Sequence, residues 1–188
     1  MTTMAEVPSM LAGRSQGEVN EDWTFEISGV RVPVLLRALG PIETGYRVMA
    51  VYYRGIEITE DYTEFREPTT PGELRVVIGN RGAALTGTVT DAAGRPAPLG
   101  MVVLFPAEPK RRITSSLRSR VTRADESGHY SLEVLPPGDY LIAATDGSFR
   151  FNPLGDRRAF DPLVPHARHV ILQGEEQKTV DLTVPERK

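Results

Sequence analysis

The sequence predicts an all-β chain of two tandem β-sandwich modules, and three observations carry that expectation. From Trp23 onward apolar residues recur with period two or in short runs, the spacing of strands rather than helices. The 188 residues include 17 glycines and 15 prolines, many of them clustered between those runs, as turns between many short strands require. No stretch of ten or more residues carries an apolar helical stripe.

The elements follow in order. Residues 1–20 are rich in small and polar side chains and read as an N-terminal extension or the ragged edge of a fragment. A first module, 21–82, holds strand candidates at "WTFEI", "VPVLLRAL", "YRVMAVYY" and "ELRVVIG", punctuated by "GPIETG" and "EPTTPGE". Trp23 is placed in its core. A second module, 83–185, holds "ALTGTVT", "GMVVLF", "YSLEVL", "DYLIAAT", "ARHVILQ" and "KTVDLTV", punctuated by "DAAGRPAP", "DESGH" and "LPPGD". The stretch from Asp22 to Ile27 echoes that from His129 to Val134 in its alternation, which suggests two related units meeting near residues 81–83.

Composition excludes several function classes. A net charge of −3 gives no global field to gather a polyanion, so nucleic acid is not the expected partner. With no cysteine there is neither a disulfide framework nor a thiolate metal site. No segment approaches the ~18 apolar residues of a membrane-spanning helix, and the start lacks the basic and apolar regions of an export signal.

Turn chemistry is the clearest signal. In "VTDAAGRPAP", Asp91 and Gly94 are expected to close a tight turn, with Gly94 at positive φ and Pro96 refusing a ladder bond. In "LPPGDY", Pro136, Pro137 and Gly138 are expected to fix a corner, and Tyr140 to enter the core with its hydroxyl capping that corner.

Candidate chemistry is thin by comparison. His166 and His169 have a ligand-like spacing, but on a strand it turns the rings to opposite faces, so no metal site is expected. The acidic turns at 20–22 and 125–128 lack the alternating carboxylates of a calcium loop. The serines of "ITSSLRS" sit in no nucleophile elbow, and no catalytic residue is assigned. Lysines occur only at 110, 178 and 188, none of them in an early core strand where a lysine–asparagine crosslink would need one. One basic segment stands out: Lys110, Arg111, Arg112, Arg118, Arg120 and Arg123 form a candidate anion-binding loop for a glycan, a lipid headgroup or an acidic protein face, against a plain solvated loop. The aromatics Trp23, Tyr52, Tyr53 and Tyr62 offer at most a thin sugar-stacking platform, because adjacent Tyr52 and Tyr53 face opposite ways on a strand.

The second module resembles the carboxypeptidase regulatory-like domain, a seven-stranded, prealbumin/transthyretin-like Greek-key sandwich. The residues that carry the resemblance are Gly87-x-Val89-x-Asp91, Gly94-x-Pro96, the run Met101 to Phe105, Asp125-x-x-Gly128-x-Tyr130, and Leu135-Pro136-Pro137-Gly138-x-Tyr140. With the upstream stretches, the chain resembles the C-terminal part of long bacterial proteins built from such modules. The resemblance implies an extracytoplasmic location, no cofactor, no enzymatic activity, and a non-catalytic structural or binding role toward an unknown protein or glycan of the cell envelope. Two alternatives stand beside it: a starch-binding-like carbohydrate-binding module of an enzyme, and a small hydrolase or metal-dependent enzyme with a site assembled across strands.

Overall fold

The structure is a computed structural model, and it describes residues 4–5, 17, 19–30, 33–36, 38–39, 45–65, 73–114, 116–147, 149 and 158–186. It is all-β, with two compact units, Met1–Asn80 and Arg81–Lys188.

In the first unit β1 (Met4–Ala5) pairs antiparallel with β2 (Ala38–Leu39). The strands β3 (Arg47–Tyr53), β4 (Ile56–Glu57) and β5 (Leu74–Gly79) form an antiparallel sheet with β3 in the centre. Arg54 and Gly55 join β3 to β4 as a two-residue turn with φ of 49° and 79°, the hairpin geometry whose twist matches the strands. A bulge between Val48 and Ala50 resets the alternation, so Val48 and Val51 are both buried.

Several expectations fail in this unit. "WTFEI" is not a strand: Phe25 makes a single bridge to Val19, and Trp23 is 60% exposed rather than in the core. The cause is a tight turn in which the Trp23 amide donates to Asn20 O (3.0 Å) and the Asn20 amide to Thr24 O (2.8 Å), forcing Trp23 to φ 66° and out of the strand region. Because His129–Leu135 is a true strand, the echo between 22–27 and 129–134 is one of residue type and not of structure. "VPVLLRAL" is also broken up, with Val34 bridging Thr63 before β2.

The second unit is a sandwich. Its strands are β6 (Ala83–Thr90), β7 (Met101–Pro106), β8 (Arg120–Arg123), β9 (His129–Leu135), β10 (Gly138–Thr145), β11 (Arg168–Leu172), β12 (Gln177–Thr179) and β13 (Leu182–Thr183). One sheet runs β11-β10-β7-β8, all antiparallel. In the other, β6 is flanked by antiparallel β9 and by β12 and β13, both parallel to it. Those two keep one register along β6, Gln177 opposite Ala84 and Thr183 opposite Thr90, so they are one interrupted strand and the sandwich counts seven. Leu85, Val89, Val102, Leu104, Leu132, Tyr140, Ile142, Val170 and Leu182 meet between the sheets. Each large side chain of this kind contributes roughly 1.5–3 kcal/mol on burial.

β7 is buried at every position because it has two covered faces. Val102 and Leu104 point into the sandwich; Met101, Val103 and Phe105 point out, where Phe160 stacks on Phe105 with ring centres 4.6 Å apart. In β9 a bulge sets Leu85 opposite Leu132 but Ala83 opposite Leu135, and Val134 takes φ 53°. Leu135, not Val134, therefore fills the core, against the simple alternation.

Candidate functional site

The two Asp-x-x-Gly turns of the second unit are copies of one device. Asp91 Oδ1 accepts the amides of Ala93 and Arg95, each at 2.9 Å, and the Gly94 amide donates to Asp91 O at 3.0 Å. Asp125 Oδ1 accepts the amides of Ser127 and His129 at 2.8 and 2.9 Å, and the Gly128 amide donates to Asp125 O at 3.0 Å. Gly94 and Gly128 sit at φ 76° and 82°, where a Cβ is strained. These hydrogen bonds, with the Arg95 guanidinium, hold the Asp91 carboxyl below its ordinary pKa. Pro96 lies opposite Thr90 at a position flanked by Asp91 N to Arg95 O and Ala97 N to Val89 O, where no amide is called for.

A third acidic key interrupts the last strand. The Val180 carbonyl accepts the Tyr130 hydroxyl at 2.6 Å, while the Thr88 amide and hydroxyl donate to Asp181 Oδ1 at 2.9 and 2.7 Å. The Asp181 carboxylate thus stands in the ladder where a main-chain carbonyl would. These two bonds hold its pKa down, helped by nearby Arg168 and His129. Tyr130 is buried, and desolvation pushes its phenol pKa up. Gly87 makes the arrangement possible, since a Cβ there would lie 2.1 Å from Val180 O. Gly87 and Tyr130 were legible as motif residues; their partner at 180–181 was not, because nothing local marks it.

Tyr140 is fully buried and its hydroxyl donates to Pro136 O at 2.7 Å, the capped corner the sequence suggested. The basic segment reaches the same corner. A Cβ on Gly138 would lie 3.5 Å from Arg118 Nε, and Arg118 is only 8% exposed.

The segment is not a continuous solvated loop: it is a 3-10 turn at Pro109–Arg111, a folded connection and strand β8. Lys110 and Arg111 pair with Glu108. Arg112 donates to Pro106 O and Ala107 O, and Arg120 to Leu117 O and Ser119 O. Lys110 and Arg123 are exposed. Of the serines here, Ser116 Oγ accepts the Arg118 amide and Ser119 Oγ donates to Ile113 O, while Ser115 lies outside the described residues.

The histidines are placed apart by secondary structure. His166 ends a 3-10 turn, Val164–His166, which Pro165 favours over the expected strand, and His169 lies on β11 paired with Asp139 of β10. Among the described residues no three His, Cys, Asp or Glu side chains converge as metal ligands. No helix of the described residues is long and apolar enough to cross a membrane.

No family model matches the chain, and no curated protein matches it. The family resemblance therefore rests on the motif residues alone. Solved structures do align. A candidate carbohydrate-binding protein of Pseudomonas aeruginosa aligns at 16% identity over 55% of this chain and 88% of its own, with a TM-score of 0.36. The major pilin subunit of Bacillus cereus aligns at 14% identity over 93% of this chain, TM-score 0.37, and the match spans 37% of that pilin's length. A minor pilin of Streptococcus agalactiae aligns at 12% identity over 99% of this chain and 83% of its own, TM-score 0.34.

Proposed function

We propose that the chain is a non-catalytic structural or binding segment of a larger bacterial secreted or envelope polypeptide, with modules at 21–82 and 83–185 after an extension at 1–20. The observation that carries this reading is where the acids of the second unit go. Asp91, Asp125 and Asp181, the residues a metal site or acid–base pair would recruit, each accept at least two hydrogen bonds from the chain itself. Such groups specify a fold rather than turn over a substrate. The basic segment, in the same reading, is a strap: its guanidiniums bind carbonyls and Glu108 across the connection from β7 to β8. An anionic envelope partner would meet Lys110 and Arg123, its exposed cations.

A second reading, a carbohydrate-binding accessory module, draws on the exposure of Trp23 and Tyr62 in the first unit. The test is a panel of hydrolytic substrates together with retention of envelope glycans, lipids and proteins on the immobilised full chain. Retention that Lys110→Gln with Arg123→Gln weakens, without turnover, is the expected result. Reproducible turnover would overturn the non-catalytic reading.

A further inference from the structure

The chain has one tryptophan, and it stands at the tip of the turn formed by residues 20–24. Five hydrogen bonds fix the tip: the two main-chain bonds already described, Thr24 N and Thr24 Oγ1 to Asp22 Oδ1 at 3.1 and 2.6 Å, and Asn20 Nδ2 to Thr24 Oγ1 at 2.9 Å. They hold Trp23 at φ 66°, a region that a bulky side chain occupies only under constraint. The result is a large apolar ring displayed to solvent at a conformational cost. A fold seeking stability alone would place glycine there.

The surroundings say what kind of group the ring faces. Glu21, Asp22 and Glu26 are all exposed, and no lysine or arginine occurs among the described residues of 17–30. The two Thr24 bonds keep the Asp22 carboxyl below its ordinary pKa, so it stays charged. The same unit lays guanidiniums on two of its tyrosines, Arg54 over Tyr53 at 5.1 Å and Arg75 over Tyr52 at 4.9 Å. Among the described residues no such cation covers Trp23, although indole is the strongest acceptor of the three aromatic side chains. An exposed turn tip cannot enclose a small molecule, so the cation must arrive on a partner that supplies the rest of the contact.

We propose that the Trp23 turn is a docking tip for a basic protein segment, the indole face receiving an arginine or lysine side chain while Glu21, Asp22 and Glu26 draw it in. This goes beyond the scaffold role of the second unit and does not depend on it.

The test uses the full chain. Titration with an oligo-arginine peptide, followed by the single tryptophan's emission and by anisotropy of the labelled peptide, is expected to saturate and to weaken as salt rises. Trp23→Leu, which keeps the carboxylates and an apolar side chain but no π face, is expected to weaken binding about tenfold, between the exposed and the fully desolvated range of a cation–π contact. Trp23→Gly is expected to abolish the preference while its unfolding midpoint stays equal to, or rises above, the wild type. Equal affinity of Trp23→Leu and wild type would overturn the proposal, as would a lowered midpoint in Trp23→Gly, which would make the ring structural. Emission that responds to a neutral glucan and not to the peptide would also overturn it, in favour of sugar stacking.

Discussion

Gly87→Ala separates close approach from backbone conformation as the reason for a glycine. The added Cβ would lie 2.1 Å from Val180 O and 2.7 Å from Val180 C, both main-chain atoms that no rotamer change moves. Relief requires the interrupted strand to lift from β6, which strains the Val180 amide bond to Thr86 O, the Tyr130 bond to Val180 O and the paired Thr88 bonds to Asp181. Overpacking of this kind costs about 1–3 kcal/mol, and loss of Leu182 from the core would push toward the upper end. Urea unfolding followed by circular dichroism reads the total. Amide exchange at Val180 and Val184 locates it, since both amides donate to β6. Wild-type stability with both amides still protected would show that β6 accommodates the added Cβ without lifting the interrupted strand.

A Cβ on Gly94 would meet no atom within 4 Å, so the cost of Gly94→Val is expected to lie in its φ of 76°, about 1 kcal/mol or somewhat more by urea unfolding. Tyr140→Ala empties a fully buried site and is expected to cost about 3–5 kcal/mol, while Tyr140→Phe, which keeps the ring and loses the bond to Pro136 O, is expected to cost about 1 kcal/mol in the same assay. Replacing Arg112 and Arg118 with Gln is expected to lower the thermal midpoint, because Arg118 is buried and Arg112 bonds two carbonyls; the expectation from sequence that such charges are merely exposed does not hold. The carboxyls of Asp91, Glu176 and Asp181 have folded pKa values below their unfolded ones, so their contribution is present above the ordinary carboxylate range and lost as pH falls through the folded values; an acid titration of the midpoint checks the sign.

What the sequence made legible was local. Most strands of the second unit announce themselves by period two or by a short apolar run, and the two Asp-x-x-Gly turns by residues that act within five positions of one another. The continuous apolar run at 101–105 carried a further signal, a strand covered on both faces, but not the identity of the cover, because Phe160 lies far along the chain. β8 was missed because Arg120 and Arg123 read as a charge run; their strand is recruited by pairing with β7. Trp23 was misplaced because hydrophobicity argues for burial, while the hydrogen bonds among Asn20, Asp22 and Thr24 decide the backbone. The bulge in β9 has no local mark, and it moved Leu135 into the place that alternation reserves for Val134.

Asp91 and Asp125 are expected to serve architecture and not a bound ion. Thermal unfolding of the wild type, of Asp91→Ala and of Asp125→Ala, each with a chelator and with added calcium, tests this most directly. The wild-type midpoint is expected to be the same in both conditions, and each variant to melt lower by an amount calcium does not change, since the lost partners are the amides of residues 93, 95, 127 and 129. A wild-type midpoint that rises with calcium and falls with the chelator, with that response gone in either variant, would contradict it.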